Sequence, residues 1–276
     1  MALDRVWLAT DLGEGAVAPW AHALRICATA GRDLRVLHVR KGSDPPWASL
    51  PTARLLLTRW GFLPDDATLD DFASLGFKVH LKALEADEPS GLLGAMIEVQ
   101  APDLLVLGTH RPHGLQRLFE GSVGEDLARH SPRATLMVPD GCRPFVSPDE
   151  GTVSLRRILV PLGEVAAARA LEHAMDLATA LDQRPLEFVF VHVGPYREIP
   201  QLELPERPGW TYRTVNFRDG DVVGRVLEAA TRENADLIAM ATHGHDSWAD
   251  AVWGTRTERV TRDAPVPVLI ATLGVD

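Results

Sequence analysis

The sequence predicts an α/β protein built from two tandem, doubly wound parallel-sheet domains related by pseudo-two-fold symmetry. The first observation is that short, almost uninterrupted apolar runs such as VLHV and LLVLG alternate with longer stretches of helical periodicity. Such runs are typical of strands covered on both faces by helices. The second observation is that the whole series of segments occurs twice in the same order, so the sheet is expected to be built twice.

The internal repeat is most regular towards the end of each half. Without a gap, residues 103–138 align with residues 236–271, and Asp, Leu, Thr-His, Gly, Glu, Arg, Pro and Leu recur in register. Earlier segments match in the same order, RVWLATDLGE with RILVPLGE and LRVLHVR with EFVFVHVG. We therefore predict homologous domains at 1–140 and 155–276, joined at 141–154 by an exposed linker rich in Pro, Gly and Ser.

The elements between the strands follow from the same patterns. A first helix is predicted over residues 16–30, where apolar side chains recur on one face. A further helix is expected around 121–130, after the loop that follows the strand at 104–107. The first domain has a long insertion after its second strand, with room for one or two helices. At the same place the second domain has only residues 194–209, whose four prolines oppose a helix, so this domain is expected to be shortened and to lack that second helix.

Composition and charge exclude several classes of protein. The formal net charge of −10 argues against a nucleic-acid binder or a membrane-surface protein, because both need basic patches. The two cysteines, Cys27 and Cys142, cannot form a disulfide framework and suit a reducing compartment. No signal peptide and no run of about 18 apolar residues is recognised, so a cytoplasmic protein is expected.

The ends of the strands and the loops after them carry a resemblance to a known family. A strand ends in Asp11, and the later loop GTHRPHGLQRLFEGS has glycines near both ends, at 108 and 121. The matching loop ATHGHDSWADAVWGT of the second half has glycines at 244 and 254. The chain resembles the universal stress protein family in its tandem form, whose signature is a strand ending in Asp, then G-x-x-G, nine residues and G-[ST]. This resemblance implies a Rossmann-like, adenine-nucleotide α-hydrolase-like fold and a role in the stress response. Some members bind ATP and others bind no nucleotide.

The resemblance implies a nucleotide site in each domain. The strand-end aspartate would face the adenosine part of the ligand, and Val39 would offer its backbone to adenine. Glycines let the backbone approach phosphate closely, and a helix that opens at Gly-Ser or Gly-Thr attracts phosphate to its free N–H groups. The residues carried over are Ala9, Thr10, Asp11, Val39, Gly108, Arg111, Gly121, Ser122 and Val123 in the first domain, and Gly244, Gly254 and Thr255 in the second.

Each predicted site departs from the family pattern. In the first domain Arg111 replaces the second glycine and precedes Pro112, which pushes it towards extended backbone. Arg111 would then either clamp a phosphate or fill the cavity and close the site. In the second domain Ala241 replaces the first glycine, and Gly163 stands where Asp11 lies. Losing that polar contact would cost about 1–3 kcal/mol, so both ATP sites are interpreted as degenerate.

No catalytic residue and no metal ligand is predicted. The His-rich turns lack metal-ligand spacing and are interpreted as solvated loops. His22 and His173 are expected to pack or to bond within the fold, and His38 and His192 to be satisfied core histidines. The expected function is a cytoplasmic, stress-associated nucleotide-binding or regulatory module that binds ATP or AMP weakly, with Mg²⁺ only beside ATP. The alternatives are a nucleotide-free scaffold for a partner protein or apolar ligand, and a slow ATPase.

The last strand of each domain predicts how the domains meet. The segments ATLMVP and VPVLIA are apolar and would be liabilities as free sheet edges. The resemblance implies that they pair, and we predict an antiparallel pairing that makes an internal pseudo-dimer. The sequence does not decide whether two such chains form a homodimer.

Overall fold

Ten strands form a single sheet in the part of the chain that the computed structural model describes. The described residues are 3–40, 47–85, 89–109, 127, 133–163, 166–243 and 255–273. The strands of the first half are β1 (Val6–Ala9), β2 (Leu34–Arg40), β3 (Val79–Glu85), β4 (Leu104–Thr109) and β5 (Ala134–Pro139). Those of the second half are β6 (Arg157–Pro161), β7 (Leu186–Val193), β8 (Trp210–Phe217), β9 (Leu237–His243) and β10 (Val268–Leu273).

Helices follow the strands in the order that the repeat predicts. In the first half they are α1 (Val17–Ala30), α2 (Ala53–Arg59), α3 (Leu69–Ser74) and α4 (Pro89–Gln100). In the second half they are α5 (Ala166–Ala180), α6 (Val222–Arg232) and α7 (Thr255–Asp263). The insertion after β2 holds α2 and α3, whereas the segment between β7 and β8 holds one short 3-10 turn. Of the helix predicted around 121–130 the described residues include only Leu127, which is helical and buried.

The two halves are joined through their last strands. The strand order is β3-β2-β1-β4-β5-β10-β9-β6-β7-β8, which reads the same in both halves outwards from the centre. Pairing is parallel within each half, but β5 and β10 are antiparallel, with Met137 opposite Val268. The predicted antiparallel pairing is thereby confirmed, and it places a pseudo-two-fold axis between β5 and β10.

Helices cover both faces of the sheet, which explains the uninterrupted apolar strands. On one face α1, α2 and α5 contribute to a cluster that contains Leu24 and Leu171. On the other face α4, α6 and α7 contribute to a second cluster that contains Ile97 and Val226. Both clusters include residues from the two halves, so the hydrophobic core continues across the central strand pair.

A buried aspartate recurs before β4 and β9 and organises the start of the neighbouring strand. Asp103 and Asp236 are 7% and 6% exposed. One carboxylate oxygen of Asp236 accepts hydrogen bonds from the backbone N–H groups of Arg156 and Arg157, at 2.8 and 2.9 Å. The other accepts from the Arg143 guanidinium at 2.8 Å. Asp103 accepts the equivalent backbone hydrogen bonds before β1. The recurrence of aspartate at these two positions therefore reflects a structural role.

The segment at 141–154 is not the exposed linker that its composition predicts. Phe145 and Val146 are 1% and 0% exposed, because residues 145–154 fold into a small hairpin against α1. The Val146 N–H donates to Nε2 of His22 at 3.3 Å, and the side chain of Arg25 donates to the Gly151 carbonyl at 2.8 Å. The expectation of exposure was wrong because the Pro, Gly and Ser residues here make hairpin turns around two buried apolar side chains.

Lowering the pH is expected to destabilise the folded chain, because His22 is buried in its neutral form. Burial lowers the pKa of His22 from 6.5 to about 4, although its hydrogen bond to the Ala18 carbonyl opposes this shift. The unfolded chain therefore binds a proton on this histidine at a pH where the folded chain does not. The associated stability is complete above pH 6.5 and is lost as the pH falls to about 4, by about 3 kcal/mol in total. Urea unfolding across this range measures the change.

His22→Gln provides the control for that experiment. Removing the imidazole should flatten the dependence of the unfolding free energy on pH between 6.5 and 4. A residual slope is expected from His173, whose pKa is also lowered by burial. An unchanged slope in the variant would contradict the assignment to His22.

Candidate functional site

The carboxyl ends of three parallel strands meet at one edge of the sheet in the first half. Strand β1 lies between β2 and β4, and its last residue, Ala9, is in register with Leu37 and Leu107. The ladder extends one residue further, because the Thr10 N–H donates to the Leu37 carbonyl at 3.0 Å. Asp11 and Val39 therefore reach the same edge as Gly108, as the sequence predicts. In doubly wound folds ligands bind at such an edge, where the strand order reverses.

Asp11 occupies an ordered, exposed turn directly after β1. Its Oδ1 accepts a hydrogen bond from the Gly13 N–H at 3.0 Å, and the next residue, Leu12, has a φ of 62°. Thr10 supports the same turn, because its Oγ1 accepts from the Leu12 N–H at 3.0 Å. A Cβ at Gly13 would lie 3.3 Å from both carboxylate oxygens, so glycine leaves room for this rotamer. The turn presents a fixed carboxylate at the strand edge.

Residues outside the predicted nucleotide site support this edge from behind. His38 is 3% exposed and its Nδ1 lies 2.9 Å from the Thr10 carbonyl, so it is a core histidine, as expected, held through one ring nitrogen. The ring of Trp47 meets the His38 ring edge-on at a centroid distance of 5.7 Å. Ser49 donates its hydroxyl to the Leu12 carbonyl at 3.0 Å. The insertion after β2 thus packs against the Asp11 turn, which no local motif indicates.

Gly108 has a packing role that its place in the signature does not reveal. A Cβ at this position would lie 2.9 Å from Cγ of Pro19, in the first turn of α1. That distance is too short for two carbon atoms, so α1 approaches β4 closely only because residue 108 lacks a side chain. In the second half the corresponding residues are both alanine, Ala241 and Ala170, and both pack in the same core cluster.

A reciprocal exchange tests this packing. Gly108→Ala is expected to destabilise the chain by about 1–2 kcal/mol, because the added methyl group overlaps the proline ring. Pro19→Ala should restore most of that loss, giving a coupling of about 1 kcal/mol in a double-mutant cycle measured by urea unfolding. Additive losses would contradict direct contact between the two positions.

The equivalent edge in the second half lacks the carboxylate. The Leu162 N–H donates to the Val191 carbonyl at 2.8 Å, which is the bond that Thr10 makes to Leu37. Gly163 therefore occupies the place of Asp11, as the repeat predicts. A Cβ at Gly163 would meet nothing within 4 Å, so no packing constraint explains this glycine.

The strands at this second edge also separate earlier. Pairing of β6 with β9 includes Leu159 opposite Ile238 and ends there, whereas β1 and β4 remain paired to Ala9 opposite Leu107. The Asp236 N–H donates to the Arg157 carbonyl, so the backbone groups of Arg157 point towards β9, and those of every second residue along β6 do the same. A backbone N–H at Pro161 would therefore also point at β9. Proline has no N–H to donate. The missing donor explains why the strands part here.

His192 also has a different partner from its counterpart in the first half. His192 is 7% exposed, and its Nδ1 lies 2.7 Å from Oδ1 of Asn216 on β8, so it too is a satisfied core histidine as expected. His22 bonds within the fold, also as expected. Within the described part of the chain, neither ring nitrogen of buried His173 has a hydrogen-bond partner, so that histidine is a packing residue.

The structure describes only part of the predicted nucleotide sites. It brings together the strand-end residues Ala9, Thr10, Asp11 and Val39 with Gly108. Helix α7 begins at Thr255, where the second Gly-[Ser/Thr] pair predicts a helix start. The remaining predicted phosphate-loop residues lie outside the described ranges, namely Arg111, Gly121, Ser122, Val123, Gly244 and Gly254. Among the described helices, none has the length and apolar character needed to cross a bilayer.

The architecture defines the class of protein. The two halves, each of five parallel strands in doubly wound order, are joined by an antiparallel central pair into one sheet. This is the two-domain form of the adenine-nucleotide α-hydrolase-like fold. The model of the universal stress protein family matches residues 2–139 and 198–272, which is more than half of the chain. The chain belongs to the universal stress protein family.

Individual relatives agree with this assignment over most of the chain. A universal stress protein of Mycobacterium tuberculosis is 24% identical over 264 residues, covering 86% of each chain. The crystal structure of a universal stress protein from Archaeoglobus fulgidus has 20% identity, 98% coverage of each chain and a TM-score of 0.64. A putative universal stress protein from Pseudomonas aeruginosa has 16% identity, covers 98% of this chain and 93% of its own, and has a TM-score of 0.61. These structures share the fold.

The family match omits the part of the second half that departs from the pattern. Residues 140–197 are unmatched, and they contain β6, α5 and β7 as well as Pro161 and Gly163. The glycine in place of the strand-end carboxylate therefore lies within the stretch that the family model does not match.

Proposed function

We propose that this chain is a cytoplasmic, stress-associated regulatory module that binds an adenine nucleotide weakly in its first half. The observation that carries the proposal is the exposed Asp11 carboxylate, held by the Gly13 N–H at the edge where β1 and β4 end. An exposed carboxylate fixed at this edge is a preorganised acceptor for a hydroxyl donor. ATP and AMP both carry ribose hydroxyls, and Mg²⁺ would accompany ATP alone.

The described residues fit the adenosine part of such a ligand. Asp11 would accept hydrogen bonds from the adenosine hydroxyls, and the backbone at Val39 would contact adenine. The chain from Gly108 through Arg111 to Gly121, Ser122 and Val123 would hold the phosphates. No bond-making step is assigned to any of these residues, because the sequence predicts no pairing of a nucleophile with a base among them.

The second half is proposed as the weaker site. Gly163 removes the acceptor that Asp11 supplies, and the early separation of β6 from β9 changes the shape of the edge. Gly244, Gly254 and Thr255 would still offer backbone N–H groups and a helix start to an anion. An anion cradle without an adenosine contact should discriminate poorly between nucleotides.

A nucleotide-free scaffold is the second candidate function. It is favoured by the contact between Gly108 and Pro19, because this glycine of the signature is needed for helix packing whether or not phosphate binds. Such a scaffold would bind a partner protein or an apolar ligand. Slow ATP hydrolysis is the least favoured function, since the sequence predicts no pairing of a nucleophile with a base.

Thermal denaturation with ATP or AMP, each with and without Mg²⁺, tests the proposal. A ligand at ten times its Kd stabilises the folded chain by about 1.4 kcal/mol, so millimolar ATP should raise the Tm by a few degrees. Asp11→Ala should weaken binding by about 10- to 100-fold, whereas Asp66→Ala, at another exposed carboxylate, should leave it unchanged. No shift at saturating nucleotide would favour the scaffold.

Restoring the missing carboxylate gives a gain-of-function test. Gly163→Asp is expected to fold, because a Cβ there meets no atom of the described residues within 4 Å and the backbone φ is not in the left-handed region. If the acceptor is what the second half lacks, this change should add nucleotide binding to an Asp11→Ala background, by about tenfold in affinity. Isothermal titration calorimetry measures this directly. Identical titrations before and after the change would show that the loop or the parted strands, and not the carboxylate, limit the second site.

A further inference from the structure

Two hydrogen bonds from outside the β1–α1 connection hold the turn that presents Asp11. Nδ1 of buried His38 donates to the Thr10 carbonyl at 2.9 Å, and the Ser49 hydroxyl donates to the Leu12 carbonyl at 3.0 Å. The histidine belongs to β2, and the serine belongs to the insertion that follows β2. The Asp11 turn is therefore attached to two elements that lie elsewhere in the sequence.

The Ser49 hydrogen bond acts on the peptide unit that fixes the carboxylate. The Leu12 carbonyl and the Gly13 N–H belong to one peptide unit, and this N–H donates to Oδ1 of Asp11 at 3.0 Å. Because a peptide unit is planar, a hydrogen bond to its carbonyl also sets the direction of its N–H. Leu12 has a φ of 62°, which residues with a side chain seldom adopt. Ser49 therefore holds both an uncommon backbone conformation and the donor that orients Asp11.

The segment that carries Ser49 is itself fixed. It is the short 3-10 turn Trp47–Ser49, whose tryptophan ring meets the His38 ring edge-on at a centroid distance of 5.7 Å. Directly after it, the Pro51 carbonyl accepts the Nε1–H of Trp20 on α1 at 2.9 Å. The serine hydroxyl thus reaches the Asp11 turn from a support that is attached to β2 and to α1.

The second half forms the corresponding strand and helix without either hydrogen bond. Nδ1 of His192 lies 2.7 Å from Oδ1 of Asn216 on β8 instead of at the end of β6. After β7, Tyr196 is 79% exposed, and among the described residues no hydrogen bond joins the β7–β8 segment to Leu162 or Gly163. Strand β6 and helix α5 form nevertheless. Both hydrogen bonds are therefore dispensable for this part of the fold, and they occur in the half that has the carboxylate.

We propose that Ser49 is a positioning residue for the nucleotide site of the first half. Its hydroxyl keeps the Leu12–Gly13 peptide unit oriented, so that the Asp11 carboxylate is already in place when an adenosine hydroxyl arrives. Such preorganisation raises affinity by removing the cost of ordering the turn on binding. This role rests on the proposed nucleotide function, and it makes affinity depend on the insertion after β2 as well as on Asp11.

Isothermal titration of the full chain with ATP and with AMP measures the effect on affinity. Ser49→Ala should weaken binding by about five- to tenfold, whereas Ser49→Thr keeps a hydroxyl and should bind within about twofold of the parent. Ser74→Ala is the matched control, because Ser74 of the same insertion also donates to a backbone carbonyl, that of Asp71 at 2.6 Å. It should leave the affinity unchanged. Since both serines are exposed, each variant should keep the Tm of the parent within about 2 °C.

A double-mutant cycle separates positioning from general damage to the strand edge. In an Asp11→Ala background, Ser49→Ala should change the affinity by less than about twofold, because the carboxylate that Ser49 positions is absent. An equal loss in both backgrounds would show that Ser49 supports the edge as a whole, and this would overturn the proposed role.

Amide hydrogen exchange of the free chain tests the positioning without nucleotide. The Gly13 amide is the donor to Asp11, so Ser49→Ala should speed its exchange by about fivefold or more, and Ser74→Ala should not. Unchanged exchange at Gly13 in a chain that binds nucleotide would overturn the role of Ser49 alone. A parent chain that binds neither ATP nor AMP at saturating concentration would overturn the proposed function, and the role of Ser49 with it.

Discussion

Gly151→Ala is expected to destabilise the folded chain by about 3 kcal/mol or more, because the hairpin at residues 145–154 has no room for a side chain there. A Cβ at Gly151 would lie 2.3 Å from Cγ of Trp60 and 2.5 Å from its Cδ2. The indole cannot simply move away, since its Nε1–H donates to the Pro148 carbonyl at 3.1 Å. Gly151 also has a φ of 65°, which an alanine rarely adopts.

Gly141→Ala separates these two causes. Gly141 has a φ of 68°, but a Cβ there would meet nothing within 4 Å. Gly141→Ala should therefore lower the free energy of unfolding only through the strained backbone conformation, by about 1 kcal/mol. Urea unfolding of both variants measures the difference. Equal losses would show that the hairpin yields to accommodate the methyl group and that its packing on Trp60 contributes little.

Asp236→Ala is expected to cost about 3 kcal/mol, because it leaves two part-buried backbone N–H groups without their acceptor. The carboxylate accepts two backbone N–H groups, from Arg156 and Arg157, and also binds the Arg143 guanidinium. Arg143 precedes the hairpin and Arg157 starts β6, so the loss should loosen the connection between the two halves. Asp236→Asn keeps one acceptor oxygen and should lose less than half as much.

Two further aspartates calibrate this result. Asp103→Ala should show a similar loss, because Asp103 makes the matching backbone bonds at the start of β1. Asp219, whose side chain is 86% exposed, should tolerate alanine with a change within about 0.5 kcal/mol. Similar unfolding free energies for all three variants would contradict a structural role for the buried pair.

The two halves of this chain differ at the strand edge. The first half keeps a fixed carboxylate there, whereas the second half has a glycine in the same backbone position.

Much of the fold was predictable because its signals are local. Buried parallel strands need continuous apolar runs, and a repeated order of segments predicts a repeated sheet. The pairing of β5 with β10 was implied by the family resemblance, and it agrees with two apolar last strands that would otherwise be free edges. At the site, Asp11 and Val39 were predictable because a short strand places its end residues at the sheet edge.

The sequence by itself determined the tandem fold, the family, the central strand pair and the contrast between Asp11 and Gly163. Tertiary structure alone decided that residues 145–154 form a hairpin packed on α1 and that Gly108 makes room for Pro19. It also decided that Pro161 faces β9. The physical reason is that close packing depends on the approach of residues far apart in the chain. A glycine, proline or aspartate looks the same in sequence whether its neighbour in space is solvent, an indole ring or a row of backbone N–H groups.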